Sequence, residues 1–291
     1  MAEKIGLVLS GGGARGLAHI GVLKVLEREN IPVHVLAGTS MGGLVASAYA
    51  CGFSAEDLEQ HALYVCQSRQ LIKLMDVSAA RRGLLEGNRV KAHLAEWLGE
   101  NRSFEDLAYP LSLNAVDLNT GKEVVFTSGP LLPALFATIA FPGVFAPIQF
   151  NNRILVDGGV LDNLPLANAR SLGADKIIAV DVQVDPTRGN RPQSFPLPLQ
   201  LPRPLLPPEF ILDFYWSLLI MLQDRTQRQV QAVQPEVLIQ PELPVDFDMF
   251  LSFPKVKQII EYGEQAAMDA LPRIRELITR SSSGNPMPKQ Q

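Results

Sequence analysis

Residues 5–10, Ile-Gly-Leu-Val-Leu-Ser, form an unbroken apolar run that stops at glycines, the pattern of a strand buried on both faces of a parallel sheet. From 16 to 29 the pattern changes: Leu17, Ile20, Val22, Leu23 and Leu26 recur at near-helical spacing, and Asn30-Ile31-Pro32 closes the helix. Residues 33–37 read as a second strand, broken by Gly38, and a second helix runs from Met41 to Cys51. Strand, glycine turn and helix twice in succession begin a parallel sheet wrapped by helices.

Ser54 opens another helix as its cap, with Glu56 and Asp57 in the first turn. Helical pattern continues in pieces to about Leu98. Residues 111–116 and 123–126 read as strands around an Asn119-Thr-Gly121 turn, and 131–140 as a helix stopped by Pro142. Asn151-Asn152 joins two short strands, the second at 154–156. A helix at 165–172 leads into a strong strand at 176–182, 237–240 is a last candidate strand, and 254–280 carries one or two closing helices. Residues 281–291 are expected to be a disordered tail. Between these elements, 191–208 alternates prolines with Phe and Leu, which permits neither a helix nor a central strand. A mostly apolar segment, 210–222, comes after it.

Composition narrows the class. Hydrophobic residues make up 47% of the 291 positions and the net charge is −4, which fits a folded α/β chain and gives no electrostatic invitation to nucleic acid. The cysteines, Cys51 and Cys66, are too few for a disulfide framework, so a reducing compartment is expected. No apolar run has the length of a membrane span, and the N-terminal run is too short for a signal-peptide core. A cytoplasmic location, peripheral at a membrane at most, is the expectation.

The candidate chemistry lies in the turns. Gly11-Gly12-Gly13-Ala14-Arg15-Gly16 satisfies the dinucleotide fingerprint, but the second strand has no acidic residue to hold a ribose, and no Gly-Lys-Ser/Thr comes next to make a phosphate loop. Three glycines at a helix start also serve as an oxyanion hole, with backbone donors at the positive end of the helix dipole. A tight turn needed only for packing is the competing reading. Gly38-Thr39-Ser40-Met41-Gly42 is a G-x-S-x-G pattern, expected ~0.1 times by chance in a chain this long. It sits between a strand and a helix, where a sharp turn exposes a serine hydroxyl. The Met41 amide is placed to join the oxyanion donors; a helix cap is the bland alternative for Ser40.

A serine nucleophile needs a base. The chain has four histidines, all at or before residue 93, so the order Ser, acid, His of an α/β-hydrolase is excluded. His19, close behind the glycine loop, reads as structural. The best partner is Asp157 in Val156-Asp157-Gly158-Gly159, a carboxylate at a strand end, although an Asp in a glycine turn is common on its own. An ordinary Asp is a weak base for an alcohol, so burial must raise its basicity.

Together these motifs resemble the patatin-like phospholipase family: the glycine loop, the serine elbow and Asp157-Gly158-Gly159 in that order, with Ala137-Thr-Ile-Ala-Phe-Pro142 similar to a further family block and Asn163 and Pro165 at matching places. The similarity spans residues 5–182. It implies a three-layer αβα sandwich with a central, mostly parallel sheet, as one acyl hydrolase domain over 1–280. It further implies Ser40 as nucleophile, Asp157 as base, Gly12, Gly13 and Met41 as oxyanion donors, Gly11, Arg15, Gly16, Gly38, Gly42, Gly158 and Gly159 as supporting positions, and no metal or other cofactor. Arg15 orders the loop or approaches a lipid phosphate, the first being favoured. The expected reaction is hydrolysis of acyl-lipid esters; the rivals are an acyltransferase using the same acyl-enzyme and a lipid-sensing protein with little turnover. The resemblance does not reach 191–222, which is either an extended linker or a lid and membrane-docking flap.

Overall fold

The computed structural model describes residues 3–76, 83–185 and 208–282, without the side chains of 208–211 and 280–282. The proline-rich run up to 207, expected as a linker or flap, and the tail after 282, expected to be disordered, lie outside the described residues. The two repeats predicted at the N-terminus are β1 (Ile5–Leu9), a short 3-10 turn (Gly13–Leu17) with α1 (Ala18–Arg28), then β2 (Val35–Gly38) and α2 (Ser40–Ala50). The first helix thus starts tighter and earlier than its hydrophobic spacing suggested, because the glycine loop winds directly into it. Ser54 caps α3 (Ala55–Val65) through a reciprocal pair with Asp57. After it come α4 (Ser68–Leu74), α5 (Asn88–Leu98), β3 (Leu111–Asp117), β4 (Lys122–Phe126), α6 (Leu131–Thr138), β5 (Ile148–Phe150), β6 (Arg153–Asp157), α7 (Leu166–Ser171), β7 (Lys176–Val180), α8 (Pro208–Val233), β8 (Val237–Ile239) and α9 (Val256–Ser282). The apolar segment after the proline run is therefore the start of one long helix, and a single helix closes the described residues.

The strands form one eight-stranded sheet. Strands β3, β2, β1, β7 and β8 are mutually parallel, and β4, β6 and β5 extend it by antiparallel pairs. Alternation along β1 divides the core into two layers. Ile5, Leu7 and Leu9 face α1, α2 and α9, while Val8 faces Leu166 and Ala169 of α7 and Val230 and Val233 of α8. This is the three-layer αβα sandwich with a mostly parallel sheet. No helix among the described residues is long and apolar enough to cross a membrane.

Strand β3 has three partners, and their registers place the site. β2 pairs with Leu111–Leu113, β4 with Leu113–Asp117, and β6 with Ala115–Asp117. A strand has two edges, and β4 overlaps both other partners, so β2 and β6 share the opposite edge. β2 runs parallel to β3 and ends with Gly38 beside Leu113; β6 runs antiparallel and ends with Asp157 beside Ala115. Two strand ends therefore meet head-on along one edge, separated by two residues of β3, roughly 7 Å.

On the far side of the core, α1 and α9 cross closely through glycines. A Cβ on Gly21 would strike the Ile260 carbonyl, and one on Gly263 the Ala18 carbonyl. Gly263→Ala gains ~1 kcal/mol of helix propensity, but backbone cannot yield to the added methyl. We expect a net loss of about 1–3 kcal/mol, read as a lower urea midpoint at unchanged slope. An unchanged midpoint would show that the helices separate freely.

Candidate active site

Ser40 lies two residues beyond Gly38, the end of β2, and the turn it makes is strained. Its φ of 53° lies in the left-handed region, uncommon for a residue with a side chain. The surroundings hold it there. The Ser40 amide donates to Thr138 Oγ1 at 2.9 Å, and the Gly43 amide donates to the Thr39 carbonyl at 3.1 Å. Gly42 packs so closely on the end of β1 that a Cβ would strike the Leu9 and Ser10 carbonyls. Larger residues there would push the elbow off the sheet.

Asn114, on β3 between the two strand ends, ties both sides together. Its Oδ1 accepts from the Thr39 hydroxyl at 2.8 Å. Its Nδ2 donates to the Asp162 carbonyl at 2.8 Å and to Glu123 Oε1 at 3.0 Å. Gly158 leaves room for this side chain, since a Cβ there would meet Asn114 Oδ1. One fully buried amide thus spans the residue before Ser40 and the loop after Asp157, with both its donors used.

Asp157 is 1% exposed. Its Oδ1 accepts from the Gly159 amide at 2.8 Å, while Oδ2 is buried without a hydrogen-bond partner. The Ser40 side chain lies close enough to favour the charged carboxylate, yet the two do not complete a well-formed hydrogen bond. Such pairs are often loose before substrate binds. Burial is the dominant influence on the carboxyl and pushes its pKa up to about 7, against the smaller opposite pull of Ser40 and the Gly159 amide. A carboxylate of that strength is far better matched to a hydroxyl at neutral pH than an ordinary one.

The glycine loop faces the pair. Gly11 donates to the Asn163 carbonyl at 3.0 Å, and Asn163 Nδ2 donates back to the Gly11 carbonyl at 3.2 Å. Ala14 donates to the Met249 carbonyl at 2.8 Å. No turn or loop hydrogen bond among the described residues uses the amides of Gly12, Gly13 and Met41. Of these three residues, Gly12 lines the cavity in front of Ser40, and Gly13 and Met41 are not among its lining residues. Gly13 has φ 54°, and a Cβ would collide with the Met249 carbonyl. Arg15 is 3% exposed, and its guanidinium donates to the carbonyls of Val182, Gln183, Phe247 and Pro244 at 2.7, 3.3, 3.1 and 3.2 Å. It fastens the loop from beneath, and burial lowers its pKa to about 10. Gly16 receives the Met41 side chain in the space a Cβ would fill, joining loop to elbow.

The structure therefore brings Ser40, Asp157, Gly11, Gly12 and Asn163 to one cavity, with Phe141, Met249, Leu219 and Leu222 closing it. None of the four histidines lines it. His19 is fully buried, donates from Nε2 to the Ser10 carbonyl at 2.8 Å and is pushed down to about 4 by burial, so it is a neutral strut. His61 and His93 pair with each other at 3.1 Å between α3 and α5. Among the described residues, no group of three or more His, Cys, Asp or Glu could hold a metal ion. Sequence reasoning missed Asn114, Met249 and the α8 leucines, and saw Thr138 only as a motif position. Thr138 carried a usable signal, a hydroxyl within a recurring block; a single Asn inside a strand carried none.

Residues 7–170 match the family model described as patatin-like phospholipase. An uncharacterized NTE family protein of Mycobacterium tuberculosis is 36% identical over 194 residues, covering 66% of this chain and 53% of its own length. A patatin-like phospholipase domain-containing protein of Caenorhabditis elegans is 31% identical over 292 residues, 96% of this chain and 21% of that protein. A lysophospholipase NTE1 of Coccidioides immitis is 32% identical over 184 residues, 62% of this chain and 12% of that protein. The chain spans about half the length of the mycobacterial relative and less of the other two.

The raised pKa of Asp157 has a stability signature. The folded state holds the proton more tightly than the unfolded one, so this carboxyl favours folding when protonated and opposes it when ionised. Its contribution falls as pH rises from the unfolded value near 4 to about 7, then stays level. Asp162 also lies near 7, so the effect must be isolated as a difference. We expect Asp157→Asn to gain on wild type by up to about 4 kcal/mol between pH 4 and pH 8, measured by urea unfolding at each pH. A gap that stays constant with pH would mean Asp157 is not penalised by burial.

Proposed function

The chain belongs to the patatin-like phospholipase family, and from that premise we propose that it is a serine acyl hydrolase of the lipase, phospholipase A or lysophospholipase type, acting through a Ser40–Asp157 dyad and an acyl-enzyme. One observation carries the reading: a buried carboxyl shifted to neutrality faces a hydroxyl held on a strained turn. Neither feature benefits stability, and strain and desolvation of this kind concentrate where chemistry is done.

In this mechanism Ser40 Oγ attacks the ester carbonyl while Asp157 Oδ2, the oxygen without another partner, takes the hydroxyl proton. The negative charge that develops on the former carbonyl oxygen points to the Gly12, Gly13 and Met41 amides, which need not reorganise to receive it. Collapse expels the alcohol, which leaves with the proton from Asp157, and the acyl group remains on Ser40. Water then enters, gives its proton to Asp157 and attacks the acyl carbonyl; the fatty acid departs as Ser40 recovers the proton. No cofactor enters these steps. Asn163 and Arg15 act by holding the donor loop to the segments that follow Asp157 and β7.

Acyl lipids are the proposed substrates, and the name of the Coccidioides relative makes a lysophospholipid the first to test. The unit responsible is residues 1–280, taken as one acyl hydrolase domain. Peripheral contact with a membrane through 191–222 belongs to the same proposal, since such substrates reside in membranes.

Wild type, Ser40→Ala and Asp157→Asn are to be compared on a short-chain nitrophenyl ester and on a lysophospholipid. We expect kcat to fall by about 10²–10⁴ in Asp157→Asn and by more in Ser40→Ala. The wild-type kcat/KM profile should decline on the acid side below pH about 7, as the base becomes protonated. Turnover surviving in Ser40→Ala, or an acid limb near pH 4, would contradict the proposal.

A further inference from the structure

The space in front of Ser40 is about 20 Å³, room for about one water molecule. An acyl chain does not fit, so a lipid substrate reaches Ser40 only after something moves. The inner wall is fixed: Asp157, Asn163 and the glycine loop are built on strand ends and tied by buried hydrogen bonds. The outer wall is Leu219 and Leu222 of α8, with Phe141 and Met249 opposite. Leu212, Tyr215, Leu219 and Leu222 recur at helical spacing along the inward face of α8. Tyr215 lies against Phe250 with ring centroids 5.7 Å apart, and Phe250 meets Phe141 at 5.6 Å.

The outward face of the same stretch carries large apolar side chains alongside Asp213 and Ser217. Phe214 and Met221 are 66% and 68% exposed, and Ile220 is exposed beside them. One turn later the outward face becomes Asp224, Arg225, Gln227 and Arg228. The second half is fastened by polar bonds and core packing: Gln183 Nε2 donates to Thr226 Oγ1 at 2.7 Å, Arg225 donates to the Leu161 carbonyl, and Val230 and Val233 pack with the α7 layer. In the first half Leu212, Leu219 and Leu222 are buried, and Tyr215 packs on Phe250 while its side chain meets the Met249 backbone.

We infer that residues 212–222 of α8 are a lid over Ser40 that a lipid surface opens, with Phe214, Ile220 and Met221 as the docking face and the second half of the helix as its anchor. Lipid chains replace water on the outward face, and the inward leucines lift from the cavity mouth as the helix moves onto the surface. A surface that binds only the lifted helix shifts the population toward the open site. Lipid is the occupant this geometry selects, because the exposed apolar face belongs to the element whose other face blocks the acyl path. The inference rests on the reactive-serine reading above.

The test uses the full chain, phosphatidylcholine vesicles and a long-chain alkyl fluorophosphonate that labels reactive serines. Vesicle binding is read by co-sedimentation and labelling by peptide mass spectrometry. Wild type should pellet with vesicles, and Ser40 should label about tenfold faster in their presence. Phe214→Glu/Met221→Glu, its fold checked by its melting transition, should lose both effects. In wild type, hydrogen exchange should show amides of 212–222 losing protection on vesicle addition while 224–233 keep theirs; this readout stands if the variant does not fold. Equal labelling rates with and without vesicles, or unaltered pelleting by the folded variant, would overturn the lid. So would a lipid-free wild type that sediments as a dimer and a variant that sediments as a monomer, since the face would then join two copies. Vesicle binding with no Ser40 labelling under any condition would instead overturn the reactive-serine reading, and the lid with it.

Discussion

The head-on meeting of β2 and β6 along one edge of β3 is the constraint on which the site depends. Gly38 stops beside Leu113 and Asp157 stops beside Ala115, so the turns leaving both strands are delivered to the same short gap. A shift of one residue in either register would turn Asp157 or the elbow to the opposite face of the sheet. Asn114 sits in the gap, holds the two sides through Thr39 and the Asp162 carbonyl, and donates its other amide hydrogen to Glu123 of β4. The glycine loop then arrives from β1, the next strand across, and brings Gly11 and Gly12 to the cavity that Ser40 and Asp157 line.

Burial unites the chemistry with the architecture. Removing Asp157 from water raises its pKa to about 7. In the proposed mechanism that makes it a base for Ser40, and the same exclusion of water would strengthen the Gly12, Gly13 and Met41 amides as partners for a developing oxyanion. The fold bears the cost of an ionisable group with an unpartnered oxygen, and of Ser40 in a left-handed conformation. The large apolar core shared by β1, α1, α2 and α9 supplies the stability that permits both. Leu219 and Leu222 of α8 add apolar side chains to the lining of the same cavity.

Much of this was legible along the chain because the signals are local. The strand–glycine–helix repeats, the capping pair at Ser54 and Asp57, and the three glycine-bearing turns each depend on a few neighbouring residues. The alternation of apolar strands and amphipathic helices gave a parallel sheet wrapped by helices, and the family resemblance implied the αβα sandwich. Asn114 was not legible: an Asn in an apolar strand becomes a bridge only when β2 and β6 arrive on the same edge, which is a matter of tertiary register. Arg15 read as a loop-ordering residue, but the carbonyls that hold it come from residues 182–183 and 244–247, far along the chain. Residues 212–222 are apolar nearly all round, so periodicity could not separate Leu219 and Leu222, which face the site, from Phe214 and Met221, which face water. Nor did the prolines before them reveal a helix running to Val233.

The central claim is that one gap on the β3 edge assembles nucleophile, base and oxyanion donors. A crystal structure of the protein after reaction with an alkyl fluorophosphonate tests it most directly. The account predicts phosphorus bonded to Ser40 Oγ, a phosphoryl oxygen within hydrogen-bonding distance of the Gly12, Gly13 and Met41 amides, and Asp157 beside the esterified oxygen. Phosphorus on another residue, or a phosphoryl oxygen turned away from the glycine loop, would contradict it.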